Sequence, residues 1–277
     1  MKTKKMILAI PTGSLQEVVL RLLRKIGLEI PNPGRKIIVE IQGNDIFDRA
    51  VFIRPQKLPL YLKRGKVDAG FCGFDTFIEE NSENQIIAEL NFGRAGLNPV
   101  KVIVFGNKKI RDSKNVVVSS EYMSLAKKIF PKAQIIYSCG GTEADIALRV
   151  ADYGVGITET GASLKENGLQ ILKTILISPA IFLAKEAAPE MTFFGQQLQG
   201  ALKAELFQLL KFNVRPELLK SILQILPSAE SPTVNNLVDG NLAIETVAPK
   251  AGISNLILKL QKIGANGILI QDFNILS

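Results

Sequence analysis

From Leu15 to Ile26, apolar side chains fall at positions 15, 18, 19, 22, 23 and 26. That spacing lines one face of a helix, and Gly27 follows as its C-cap. Just upstream, Ile7–Ile10 is an unbroken apolar run ending in Pro-Thr-Gly-Ser, a buried strand and a turn. The alternation continues. Strands are expected over 37–41 and 50–53, a short helix over 56–63 stopping near Gly65, and a strand over 67–73. "FDTFIEE" then opens a helix, and 86–90 and 100–105 return to strand. Alternating strands and helices predict an α/β fold with mainly parallel sheets.

A second unit of the same kind begins near residue 99. Strands are expected at 115–119, 134–138 and 154–157, with helices at 122–130 and 142–151 and a further helix behind "TETGAS". Strands at 172–177 and 180–184 bring the chain back. The pattern predicts two lobes with a cleft between them: residues 1–98 and 178–190 in the first, 99–177 in the second. Residues 191–208 read as a connecting helix. Beyond them come a strand at 209–213, a helix at 216–226 with Pro216 in its first turn, and a strand at 234–237. An Asp239-Gly240 hairpin turn leads to a strand at 241–247, a helix at 251–263 and a strand at 267–273. This βαββαβ order over 209–277 is that of a ferredoxin-like unit.

Composition narrows the chemistry. The 277 residues contain no histidine and two cysteines, Cys72 and Cys139, neither in a CxxC pair. Imidazole acid–base chemistry, Ser-His and Cys-His nucleophiles and histidine-ligated metals are thereby excluded, and zinc sites and structural disulfides are disfavoured. The apolar run after the N-terminal lysines is too short for a signal-peptide core, and no stretch is long enough to span a membrane. The expected location is the cytoplasm. The net charge of +8 favours an anionic partner. Its bases are scattered rather than interleaved with aromatics, which argues against nucleic acid and for a phosphorylated metabolite.

Four strand-to-helix turns concentrate the candidate chemistry: "PTGSL" with Gly13 and Ser14, "GFCGFD" with Gly73 and Asp75, "SCGGTEAD" with Glu143, and "TETGAS" over Thr158, Glu159, Thr160, Gly161, Ala162 and Ser163. In the last, a helix start supplies free N–H groups, Gly161 allows close backbone approach, and Thr160 and Ser163 add hydroxyls. An anion site and an ordinary N-cap fit equally well. Thr142 with Asp145 looks like a capping box. Asp75 reads as a helix cap or, facing the cleft, as an acceptor for a sugar hydroxyl or amine. Arg54 and Arg94 are strand-end cations able to hold phosphate.

Together, "PTGSLQEVVLRLLRKIGLEI", "RPQKLPLYLKRGKVDAGFCGFDTFIEE", "GGTEADIALRVADYG", "TETGASLKENGL" and the tail stretches "ILPSAESPTVNNL", "AIETVAPK" and "LQKIGANGILIQDF" resemble the ATP phosphoribosyltransferase family in its long form. The resemblance covers nearly the whole chain. It implies lobes like those of periplasmic binding proteins plus a ferredoxin-like regulatory domain. It implies attack by adenine N1 of ATP on phosphoribosyl pyrophosphate, with Mg²⁺ as cofactor and histidine as feedback inhibitor, in a hexamer built with dimers. Thr158–Ser163 would hold the sugar phosphate, with Glu143 and Thr160 as catalytic residues. Gly13, Ser14, Arg54, Gly73 and Asp75 would lie at the nucleotide, and Ser231 and Thr233 at the inhibitor. Four positions depart from the family pattern: Thr12 and Gly96 replace cations, Lys57 replaces an aspartate, and Gly156 replaces the aspartate before the TG loop. The alternative reading is a non-catalytic nucleotide- or amino-acid-binding relative that regulates a partner.

Overall fold

The computed structural model describes residues 5–93, 98–227 and 231–276. The chain forms two compact units, Met1–Gly195 and Gln196–Ser277. In the first unit the order is β1 (Met6–Pro11), α1 (Gln16–Lys25), β2 (Ile38–Glu40), β3 (Phe47–Ile53), α2 (Leu58–Lys63), β4 (Ala69–Gly73), α3 (Phe74–Glu79) and β5 (Gln85–Leu90). There follow β6 (Val100–Gly106), β7 (Val117–Ser120), α4 (Met123–Ile129), β8 (Gln134–Tyr137), α5 (Thr142–Ala147), β9 (Tyr153–Thr158), α6 (Ala162–Glu166), β10 (Gln170–Ser178) and β11 (Ala180–Ala184). Helix α7 (Pro189–Ala204) runs across the division between the units.

These strands make two sheets, ordered β2-β3-β1-β4-β11-β5 and β10-β6-β9-β7-β8. The alternating pattern predicts mainly parallel sheets, but both are mixed. β1 pairs in parallel with β3 and β4, and β7 with β8 and β9. The remaining ladders, β2–β3, β4–β11, β11–β5, β10–β6 and β6–β9, are antiparallel. The cause is the route between sheets. The chain leaves the first sheet through β5, enters the second as β6, and returns from β10 to β11 with only Pro179 between them. The returning strand β11 lies antiparallel between β4 and β5, and β10 lies antiparallel to β6.

Each sheet carries its own apolar core. Leu58, Leu62, Ile181 and Leu183 pack beside the first, and Val102, Val118, Phe130 and Tyr153 beside the second. Helix α5 is shorter than the expected 142–151. It ends at Ala147, because Arg149 turns left-handed at φ +60° and the N–H groups of Val150 and Ala151 close back on the Asp145 carbonyl at 2.8 and 3.1 Å. The chain is thereby freed to bury Ala151 and enter β9.

The second unit contains β12 (Phe207–Val214), α8 (Leu219–Leu223), β13 (Thr233–Asn236), β14 (Leu242–Pro249), α9 (Ile253–Ile263) and β15 (Asn266–Asp272). Its antiparallel sheet is ordered β13-β14-β12-β15. With the helices this is the ferredoxin-like arrangement that the element order predicts. Every second residue of β12, namely Leu210, Phe212 and Val214, is buried against Ile222, Ile244 and Leu260, as a period of two requires.

Candidate active site

The carboxyl ends of β1 and β4 stand side by side in the first sheet. The turns that follow them open into one cleft. Gly13, Ser14, Arg54, Gly73 and Asp75 all line it, with Thr12 at the position of the family's lysine. Tyr122 and Ile157 of the second lobe complete the far wall. Five residues drawn from three separate stretches of sequence thus meet at one place. Arg94 and Gly96 lie outside the described residues.

Asp75 is not a helix cap. The N-cap of α3 is Gly73, and Asp75 sits in the first turn. Asp75 is 6% exposed, and its carboxylate accepts from two hydroxyls, Ser178 at Oδ1 and Tyr122 at Oδ2, each at 2.5 Å. The backbone N–H of Asp75 in turn donates to Ser178 Oγ at 2.7 Å. Gly73 makes this possible, since a Cβ there would stand 2.1 Å from Asp75 Oδ1. The buried charge also acts on Cys72. Burial first, and the nearby Asp75 carboxylate second, push that thiol well above its ordinary range.

A second cavity opens at the carboxyl edge of the second sheet. Glu121, Glu143, Gly140, Thr142 and Gly156 line it over the Phe105 ring, and Tyr122 and Ile157 border both cavities. Ser163 Oγ donates to Glu143 Oε1 at 3.2 Å, so the structure joins the "TETGAS" and "GGTEAD" turns. In the first of these, Gly161 is the N-cap of α6 at φ +79°. Thr158 Oγ1 accepts from Gly161 N at 2.8 Å and Thr160 Oγ1 from Ala162 N at 3.4 Å. The loop begins directly after Ile157, at the rim of both cavities. The capping box is absent: Thr142 bonds to Ser138 at 2.8 Å, and Asp145 accepts from Ser119 at 2.5 Å.

Gly156 leaves room for a side chain. A Cβ there would meet only the Phe105 ring, at 3.5 Å. Asp152 is not its substitute, because its Oδ2 is spent on Val117 N at 3.0 Å. Ser120 pairs with Val155 at the end of the β7–β9 ladder, and the next residue, Glu121, lines the same cavity as Gly156. Glu121, Tyr122 and Ser178 escape sequence reasoning because no local spacing marks them. Ser231 and Thr233 belong to the second unit; both are exposed, Thr233 at the start of edge strand β13.

Fold and site define a two-lobed α/β protein with a ligand cleft and a ferredoxin-like C-terminal unit. The sequence profile of the ATP phosphoribosyltransferase family matches residues 54–208, and that of "HisG, C-terminal domain" matches 204–274. The chain belongs to the ATP phosphoribosyltransferase family, glycosyltransferase-type enzymes of histidine biosynthesis. It is 33% identical to the ATP phosphoribosyltransferase of Thermodesulfovibrio yellowstonii over 99% of both chains. It is 32% identical to that of Nitratidesulfovibrio vulgaris over 97% of both. Among solved structures, a chain of the ATP phosphoribosyl transferase (HisG:HisZ) complex from Thermotoga maritima superposes with a TM-score of 0.62 at 26% identity. That match spans 72% of this chain and 98% of the other. Among the described residues, no helix is long and apolar enough to cross a membrane.

Proposed function

We propose that this protein condenses ATP with phosphoribosyl pyrophosphate. Adenine N1 attacks the anomeric carbon of the sugar, the bond from that carbon to the diphosphate oxygen breaks, and phosphoribosyl-ATP and diphosphate leave. One observation carries the reading: full-length kinship with named transferases coincides with a single cleft that gathers Gly13, Ser14, Arg54, Gly73 and Asp75. Those residues would face the nucleotide. Beside them, the Thr158–Ser163 loop and Glu143 would hold the sugar phosphate. A transfer through an oxocarbenium-like state depends on positioning and fixed charge. Carboxylates, hydroxyls and one guanidinium supply these without histidine. Glu121, which lines the same cavity as Gly156, would supply the carboxylate that the family places at 156.

Among the described residues no three acidic or cysteine side chains are grouped to cage a metal. A magnesium ion fits as the companion of the substrate phosphates, which is how that ion usually binds, with Glu121 and Glu143 placed to take its water ligands. Bound there, it would neutralise charge on the departing diphosphate. Feedback inhibition by histidine at Ser231 and Thr233, assembly as a hexamer with dimers and work in the cytoplasm complete the reading. They are supported by the match of the C-terminal unit and, for the cytoplasm, by the two free cysteines. The test is to mix the protein with ATP, phosphoribosyl pyrophosphate and Mg²⁺ and follow product absorbance. Turnover slowed by histidine is expected; nucleotide binding without turnover would point to a non-catalytic relative.

A further inference from the structure

Helix α3 follows β4 of the first sheet, yet it is shared between both lobes. Phe74 and Phe77, stacked at 6.0 Å, pack on the first lobe's core, while Ile78 packs into the second lobe's core. Asp75 and Glu79 are four residues apart and so lie on one side of the helix. Both reach the start of α4 in the second lobe. Asp75 accepts from Tyr122, and Glu79 accepts from the backbone N–H groups of Ser124 at 2.6 Å and Leu125 at 3.0 Å. Helix α4 has no side-chain cap of its own. Two of its orphan donors are therefore satisfied by a carboxylate from the other lobe.

The same helix is tied to the return crossing. Phe74 N donates to the carbonyl of Pro179 at 2.9 Å, and Asp75 is bonded to Ser178. Ser178 ends β10 of the second sheet, and Ala180 begins β11 of the first. The crossing from β10 to β11 and the start of α4 are thus held by one six-residue helix.

We propose that α3 is a brace that sets the lobes at one closure, with Glu79 and Tyr122 as positioning residues. The two halves of the site sit on opposite lobes, Arg54 and Gly13 on one and Glu143 and the Thr158–Ser163 loop on the other. A fixed spacing holds nucleotide and sugar in reacting register without a closing motion. This rests on the transferase reading above for its effect on turnover, but not for the brace itself.

The full chain carries the test. Spin labels at K63C and K108C, both exposed and on different lobes, with Cys139→Ser to remove the exposed thiol, report the interlobe distance. One narrow distance is expected in the free protein, unchanged by ATP or phosphoribosyl pyrophosphate added singly. Glu79→Gln and Tyr122→Phe, both conservative and checked for folding by thermal melting, should shift or broaden it. Each should lower kcat about 10- to 100-fold through misplacement. For Glu79→Gln, whose side chain lines neither cavity, the Kd of each substrate alone should stay within about threefold. A wild-type distance that changes on binding either substrate would overturn the brace. So would variants that keep the distance, whether activity is retained or is lost through weakened nucleotide affinity. Absent turnover in the wild-type protein would sink the transferase reading, and the distance measurement would still decide the brace.

Discussion

Gly161 and Gly73 show how single residues shape this site. Gly161 sits at φ +79°, and a Cβ there would press on Ile171 Cδ1 at 3.3 Å. Left-handed backbone costs an L-residue roughly 1–2 kcal/mol. Gly161→Val should therefore distort the loop and weaken phosphoribosyl pyrophosphate binding about tenfold, as measured by calorimetry; unchanged affinity would remove the loop from the sugar-phosphate site. The two thiols provide a second check. Cys72 is buried and held protonated, whereas Cys139 is exposed. A thiol reagent at pH 8 should modify one cysteine quickly in the native protein and the second only in denaturant. Two fast thiols would contradict the burial of β4.

At the level of elements, Ser178 joins strand β10 to helix α3. Ser178→Ala leaves Asp75 with an unpaired N–H and one hydroxyl donor fewer on a buried carboxylate. A loss of about 1–3 kcal/mol is expected, and a lowered Tm would report it. The second sheet makes a different point. Gly156 and Glu121 line one cavity, and a side chain at 156 would have room. Gly156→Asp should fold normally and give no gain in kcat/KM, because under the proposed function Glu121 of the same cavity serves as that carboxylate. A rise in kcat/KM would show that the site lacks that group. Element boundaries were mostly legible, since apolar spacing marks α1, β4 and β12 directly. The early end of α5 was not, because it depends on Arg149 adopting a left-handed turn that spacing does not encode.

For the molecule as a whole, catalysis and regulation belong to different units under the proposed function. Ser231→Ala and Thr233→Val each remove a hydroxyl on the second unit, far in sequence from the cleft residues. Loss of a ligand hydrogen bond worth about 1 kcal/mol should raise the histidine inhibition constant roughly fivefold and leave turnover without histidine unchanged. Inhibition curves that coincide with the wild type would place the inhibitor elsewhere.

The alternation of strands and helices, the glycine turns that end strands at the site, and the βαββαβ tail are all legible along the chain. Each is written in local spacing, where side-chain period and backbone freedom act over a few residues. The joining of Gly13, Arg54 and Asp75 in one cleft could be expected from the rule that ligands gather at the carboxyl ends of neighbouring strands. The antiparallel crossings, the meeting of Glu121 and Gly156 in one cavity, and the sharing of α3 between lobes arise only when the chain folds. The bonds from Asp75 to Ser178 and Tyr122 span 103 and 47 residues. Contacts at such separation depend on how sheets pair and cross, and no periodicity along the chain records that.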